Sequence, residues 1–254
     1  MPDETDEIEW MRLTAEELRA RAAADALVIV PVASLEQHGP HLATGVDIVL
    51  ATGVAHETAR RLPGPVVVTP CIWTGLAEHH MAFGGTVTLD YEAFAGVLRG
   101  VVRSAARCGF RRVMLLNGHG GNAEAVAVAA TALAVELGIR VAAGTYWHLV
   151  PEVIAPVLER QPGLLHACEA ETSLMLTLAP GSVRRERLEE AHGPGSTRVP
   201  GQPPGLAMRR SFKEISPSGV IGDARVANAA KGEALLAAIA GALAEMLGNA
   251  ELWR

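Results

Sequence analysis

The sequence predicts an α/β protein with a parallel sheet covered by helices. Short apolar runs alternate along the chain with longer alanine-rich segments. The apolar runs do not alternate with polar residues, so both of their faces are buried. No internal repeat or break in composition divides the 254 residues, so a single domain is expected over 1–254.

The elements follow in order. TAEELRARAAA reads as a helix, with Thr14 as N-cap and Glu17 completing a capping box. ALVIVPV is β-branched and short, as a buried strand should be. DIVLATGVAHETARRL is a helix stopped by Pro63 and Gly64, and VVVTPCIW is the next strand. YEAFAGVLRGVVRSAARCG is a long helix closed near Gly109. RRVMLL, NAEAVAVAATALAVELG and IRVAAGTYW then give strand, helix and strand. ETSLMLTL and KGEALLAAIAGALAEMLG supply the last two helices. Residues 1–10 read as a solvated acidic tail, and the Pro/Gly-rich stretch 191–212 as a long functional loop.

Composition removes several classes of function. A formal charge of −6 argues against a nucleic-acid or acidic-membrane surface, which would need a basic stripe. Three scattered cysteines suggest no disulfide framework. No basic, apolar leader and no apolar run of about 18 residues is present, so a cytoplasmic protein is the default expectation.

Six of the nine histidines fall in four segments rich in carboxylates or glycine. SLEQHGPHLATGVDIV ends the first strand and carries Glu36, His38, His41 and Asp47. Glu36 and His38 are two apart, hence on one face of an extended backbone. With Asp47 folding back after Gly45 they form a sensible imidazole–carboxylate metal set, at a strand end where open α/β sheets bind ligands. LLNGHGGNAEA presents His119 between glycines, with Gly120 and Gly121 allowing close backbone approach. It lacks the Walker lysine and does not fit G-x-G-x-x-G. LLHACEAETSLML supplies His166, Glu169 and Glu171; two carboxylates beside an apolar run call for partners or a metal. Cys168 there reads as a small buried thiol. WTGLAEHHMAFGG, with Trp73, Glu78, His79, His80 and Phe83, reads as a pocket wall, because adjacent histidines in an extended segment point opposite ways.

These residues resemble the creatininase (creatinine amidohydrolase) family. The matching motifs are SLEQHGPHL with Asp47, EHHMAFGGTVTL, NGHGGN, HACEAETSLML and SPSGVIGDARVANAAKGE, in the family's order. The resemblance implies a three-layer α/β/α sandwich with two divalent ions (Zn, Mn or Fe) at the C-terminal edge of the sheet. It implies hydrolysis of a non-peptide C–N bond in a small-molecule amide, and a homo-oligomer, often a hexamer. By position, Glu36 and His119 would bind one ion and His38 the other, with Asp47 bridging. His166 matches a proton-shuttling histidine.

Creatininases proper look like N-G-H-x-E-N, where this chain has Gly121 in place of the ligating carboxylate. The resemblance therefore leaves Glu169, replacing that carboxylate from the other loop, or Glu171 as the last ligand; Glu171 otherwise joins His166 in catalysis. Trp73, Glu78, His79, Gly120 and Gly121 are the expected substrate contacts.

Two alternatives stay open. One is a family peptidase acting on a small cofactor-precursor peptide. The other, from a different class, is a non-catalytic nucleotide or anion binder cradling its ligand with NGHGGN. That role leaves Glu36, His38, Asp47 and Glu169 without a purpose, since carboxylates repel phosphate unless metals intervene.

Overall fold

The computed structural model describes residues 7–199, 201–203, 206, 208 and 210–254. Four strands, β1 (Leu27–Val32), β2 (Val66–Val68), β3 (Arg112–Asn117) and β4 (Arg140–Thr145), form one parallel sheet in the order β2-β1-β3-β4. All six residues of β1 are buried. Leu27 and Ile29 enter one apolar cluster, while Val28, Val30 and Val32 enter the other. The period-two pleat thus feeds two cores from one strand, which is the three-layer α/β/α arrangement.

Helices complete the layers. The helix α1 (Ala15–Ala23) starts with the expected capping box: Glu17 N–H donates to the Thr14 side chain, and Thr14 N–H to the Glu17 carboxylate. The amphipathic α3 (Tyr91–Arg107) buries Phe94, Leu98, Val102 and Ala105 on the side that also holds α4 (Ala123–Leu137). On the opposite face lie α2 (Val46–Arg61), short turns α5 (Tyr146–Leu149) and α6 (Pro151–Ile154), then α7 (Glu169–Leu178). The short α8 (Phe212–Ile215) precedes the last long helix, α9 (Ala229–Gly248), which packs on α7 and α2. Its Gly232 permits the crossing, for a Cβ there would stand 2.0 Å from Ser173 O. Among the described residues no helix is long and apolar enough to cross a membrane.

Two expectations need correction. The strand expected over VVVTPCIW is regular only through Val68, and Ile72 returns as a single bridge to Val32. Pro70, with no N–H to give, interrupts the ladder. Within the expected acidic tail, Glu9 bridges to Val68 and Trp10 packs against Phe110 at 5.2 Å, so residues 7–10 are docked; residues 1–6 lie outside the described residues. The motif side chains gather beyond Val32 and Asn117, at the C-terminal edge of the sheet.

Candidate metal centre

Adjacent strand ends at β1 and β3 bring Glu36, His38, Asp47 and His119 together, and the segment entering α7 adds His166 and Glu171. Asp47 sits in the first turn of α2 with its carboxylate astride two imidazoles. Its Oδ1 lies 3.1 Å from His38 Nε2 and its Oδ2 3.1 Å from His119 Nδ1. Glu36 Oε2 is 3.0 Å from His119 Nδ1, and Glu36 Oε1 is 3.7 Å from His166 Nδ1. Glu171 Oε1 stands 3.9 Å from His38 Nε2, while Ala167 N–H donates to its other oxygen.

Three of the rings are held by backbone carbonyls on their outer side. His38 Nδ1 donates to Glu36 O (3.2 Å), His119 Nε2 to Leu76 O (3.2 Å) and His166 Nε2 to Gln37 O (3.0 Å). A carbonyl only accepts, so each outer nitrogen carries the hydrogen and each inner nitrogen offers its lone pair. Imidazoles that ligate metals are oriented in this way.

The inner atoms are buried, and Glu36 Oε2, His38 Nε2 and Asp47 Oδ2 make no aligned hydrogen bond among the described residues. Lone pairs facing carboxylates at 3 Å require positive charge between them. Protons can supply it: burial opposes protonation of His38, yet Asp47 and then Glu171 and Glu36 lift it to about 9. His119, equally opposed by burial, is lifted to about 10 by Glu36 and Asp47. Burial pushes Glu171 up to about 7 and, with His38 and His80 nearby, holds His166 well below the usual imidazole range. Divalent ions would do the same work as the two protons. Three triads have mutually close donor atoms, Glu36/Asp47/His119, His38/His166/Glu171 and Glu36/His80/His166, so the residues fit such ions.

The loop of NGHGGN is held by its two asparagines. Asn117 donates to His119 O (2.6 Å) and Thr145 Oγ1 (2.8 Å), and Asn122 accepts from Leu76 N–H (2.9 Å). Gly121 has no room for a side chain: a Cβ would lie 2.3 Å from both His119 Nε2 and Leu76 O. A carboxylate ligand at this position is therefore excluded by packing.

Glu169 does not take its place. It opens α7, and its buried carboxylate accepts from Glu159 N–H and Arg160 N–H and pairs with Lys231 Nζ at 2.6 Å. Residues two apart on a helix face different ways, so Glu169 and Glu171 cannot share a site once α7 begins at 169.

Of the expected substrate contacts, His79, Gly120 and Gly121 line the cavity above the cluster. Glu78 lines an adjoining cavity with Leu76 and Arg210. Trp73 is half exposed and borders a separate apolar groove with Trp10 and Val101.

His80, expected in the pocket wall, belongs to the cluster. Glu78–Phe83 is a 3-10 helix rather than extended, and it turns His80 Nε2 to 3.1 Å from Glu36 Oε1. Gly84 and Gly85, at φ +78° and +66°, end that helix and are the local signal for a turn there. His41 is buried as well, bonded to Thr172 Oγ1 at 2.8 Å, and supports the loop rather than the cluster.

Comparison with known proteins identifies the family and the fold. Residues 11–247 match the family profile described as "Creatininase: Creatinine amidohydrolase". The chain is 34% identical to the mycofactocin precursor peptide peptidase of Mycobacterium tuberculosis, over 84% of this chain and 80% of the relative. It is 32% identical to the creatinine amidohydrolase of Pseudomonas putida, over 88% of this chain and 90% of that one. A crystal structure of creatininase superposes with a TM-score of 0.82 at 30% identity, covering 95% and 96% of the two chains. Other solved creatininases of this fold are described as Zn–Zn and Mn forms. The chain belongs to the creatininase family of hydrolases.

Proposed function

We propose that this protein is a metal-dependent amidohydrolase, with two divalent ions, that cleaves a non-peptide C–N bond such as that of a lactam or a formamide. The observation that carries this is the set of three carbonyl-anchored imidazoles whose inner nitrogens face Glu36, Asp47 and Glu171 in a buried cluster. Glu36 and His119 would hold one ion and His38 and Glu171 the other, with Asp47 serving both. Divalent ions bound there supply Lewis acidity and a potent nucleophile at neutral pH.

The chain's own residues do the rest. His166 is neutral with Nδ1 turned to the cluster, so it can take a proton there and return it to a departing nitrogen. Gly120 and Gly121 keep that side of the cavity free of side chains. Leu164, Trp147 and Phe212 give a cavity of about 260 Å³ an apolar wall, suited to a small substrate. Within the described part of the 191–212 loop, Gly195–Arg198 borders this cavity, and Arg198 is the one Arg or Lys among its described lining residues. A phosphate cradle would call for more such cations, and this weighs against a nucleotide-binding module.

A second reading, peptide hydrolysis, is favoured by one observation. The adjoining cavity of about 460 Å³ shares His79 and Gly121 with the first, leaving room for a longer chain. The relatives from Mycobacterium are named as peptidases, which supports the same possibility. The test is a substrate panel of lactams, formamides and short peptides offered to Zn- or Mn-loaded protein, with products read by mass spectrometry. Turnover of small amides alone supports the proposal; cleavage confined to peptides replaces it with the peptidase reading. No hydrolysis by a protein that retains its metal would count against both.

A further inference from the structure

His80 differs from the other three rings. Its outer nitrogen, Nδ1, faces an amide nitrogen, Gln37 Nε2, at 2.9 Å rather than a carbonyl. The orientation of that amide follows from its own partners. Gly39 N–H donates to Gln37 Oε1 at 2.9 Å, and Gln37 Nε2 donates to Gly219 O at 3.1 Å. Gly219, at φ +78°, belongs to the SPSGV stretch, and a Cβ there would stand 2.1 Å from Gln37 Oε1. The residue that follows this stretch, Ile221, ties down His166 by exchanging backbone hydrogen bonds with it (2.9 and 3.3 Å).

Gln37 Nε2 has two hydrogens and three close neighbours: Gly219 O, His80 Nδ1 and His166 Nε2, the last at 3.0 Å. One contact must carry no hydrogen from Gln37. His166 is that neighbour, because its Nε2 hydrogen has an acceptor of its own in Gln37 O at 3.0 Å. The second amide hydrogen then goes to His80 Nδ1, and the hydrogen of neutral His80 sits on Nε2, 3.1 Å from Glu36 Oε1.

We infer that Gln37 is a positioning residue that sets the tautomers of two rings, making His80 a hydrogen-bond donor to Glu36 rather than a metal ligand, and leaving His166 Nδ1 free as the acceptor. Glu36/His80/His166 is then not an ion site, and the three candidate triads reduce to two. Only this last consequence rests on the metal-dependent function proposed above; the tautomers are a property of the metal-free protein.

The test is a long-range proton–nitrogen NMR correlation on metal-free, full-length protein labelled with 15N-histidine, the rings assigned with His80→Gln and His166→Gln. Both rings are expected to carry hydrogen on Nε2. In Gln37→Glu the new carboxylate oxygen can only accept from His80, so that ring is expected to switch to the Nδ1–H form. A wild-type spectrum with His80 protonated at Nδ1 overturns the inference without need of any Gln37 variant, as does an unchanged His80 in folded Gln37→Glu. Metal analysis separates the two claims. His80→Gln is expected to keep the wild-type metal content, and loss of an ion overturns the donor role. Wild-type protein that takes up no ion, yet shows the expected tautomers, sinks the metal proposal and leaves the role of Gln37 standing.

Discussion

Metal uptake by the chelator-stripped protein should expel protons, in a number that the cluster geometry sets. At pH 7.5 His38, lifted to about 9, and His119, lifted to about 10, both hold a proton on the nitrogen that an ion would take. Filling both positions should therefore release about two protons, with a fraction more from Glu171, which titrates at about 7. The combined affinity for two ions then rises roughly 100-fold per pH unit near neutrality, and the slope flattens as pH passes 9 and 10. Isothermal calorimetry with Zn or Mn in buffers of different ionisation enthalpy counts these protons directly. The sign for stability follows from the same groups. Their folded-state values exceed 6.5, so their stabilisation of metal-free protein is complete below 6.5 and is lost as pH climbs through 9 and 10. His38 alone corresponds to roughly 3 kcal/mol. Metal-free protein should lose chemical stability over that range, and metal-loaded protein should not. Ion binding at pH 7.5 with no proton release would show that His38 and His119 are not protonated in the metal-free cluster.

Other outcomes follow from single contacts. Glu169→Gln leaves the partly buried Lys231 ammonium with the exposed Glu159 and Val226 O, and should cost about 1.5–3 kcal/mol in urea unfolding without altering metal content. Gly121→Ala forces a methyl against Leu76 O and His119 Nε2; a loss of about 1–3 kcal/mol and weaker metal retention are expected, and wild-type values would show that the loop yields freely. Of three free thiols, Cys108 is exposed, Cys71 partly buried and Cys168 buried, and burial pushes Cys71 and Cys168 up to about 12. A thiol reagent should titrate Cys108 quickly in native protein, Cys71 slowly, and Cys168 only after denaturation.

Much of the architecture is legible because the strands are apolar on consecutive residues, as Leu27–Val32 shows by entering both cores. The capping box at Thr14 and Glu17 is equally local, and both ends of its hydrogen bonds lie within four residues. What the sequence conceals depends on where a helix begins or which helix type forms. Had α7 begun two residues later, Glu169 could have reached the cluster from an extended segment; starting at 169, it turns that carboxylate to Lys231 on α9, 62 residues away in sequence. The 3-10 turn over Glu78–Phe83 moves His80 from a wall to the cluster, and no periodicity announces a helix of six residues. Gln37 is not legible in the sequence, because an amide between Glu36 and His38 has no chemistry of its own. Its meaning comes from Gly219, 182 residues onward.

If Glu36, His38, Asp47, His119 and Glu171 hold metal while Glu169 does not, metal content separates the variants. The measurement is elemental analysis of wild type, Glu171→Gln and Glu169→Gln, each purified without chelator or affinity-tag metal. About two equivalents of Zn, Mn or Fe per chain in wild type, reduced in Glu171→Gln and kept in Glu169→Gln, is the predicted result. Folded wild-type protein that holds no metal even after reconstitution would contradict it, as would loss of metal from the Glu169 variant alone.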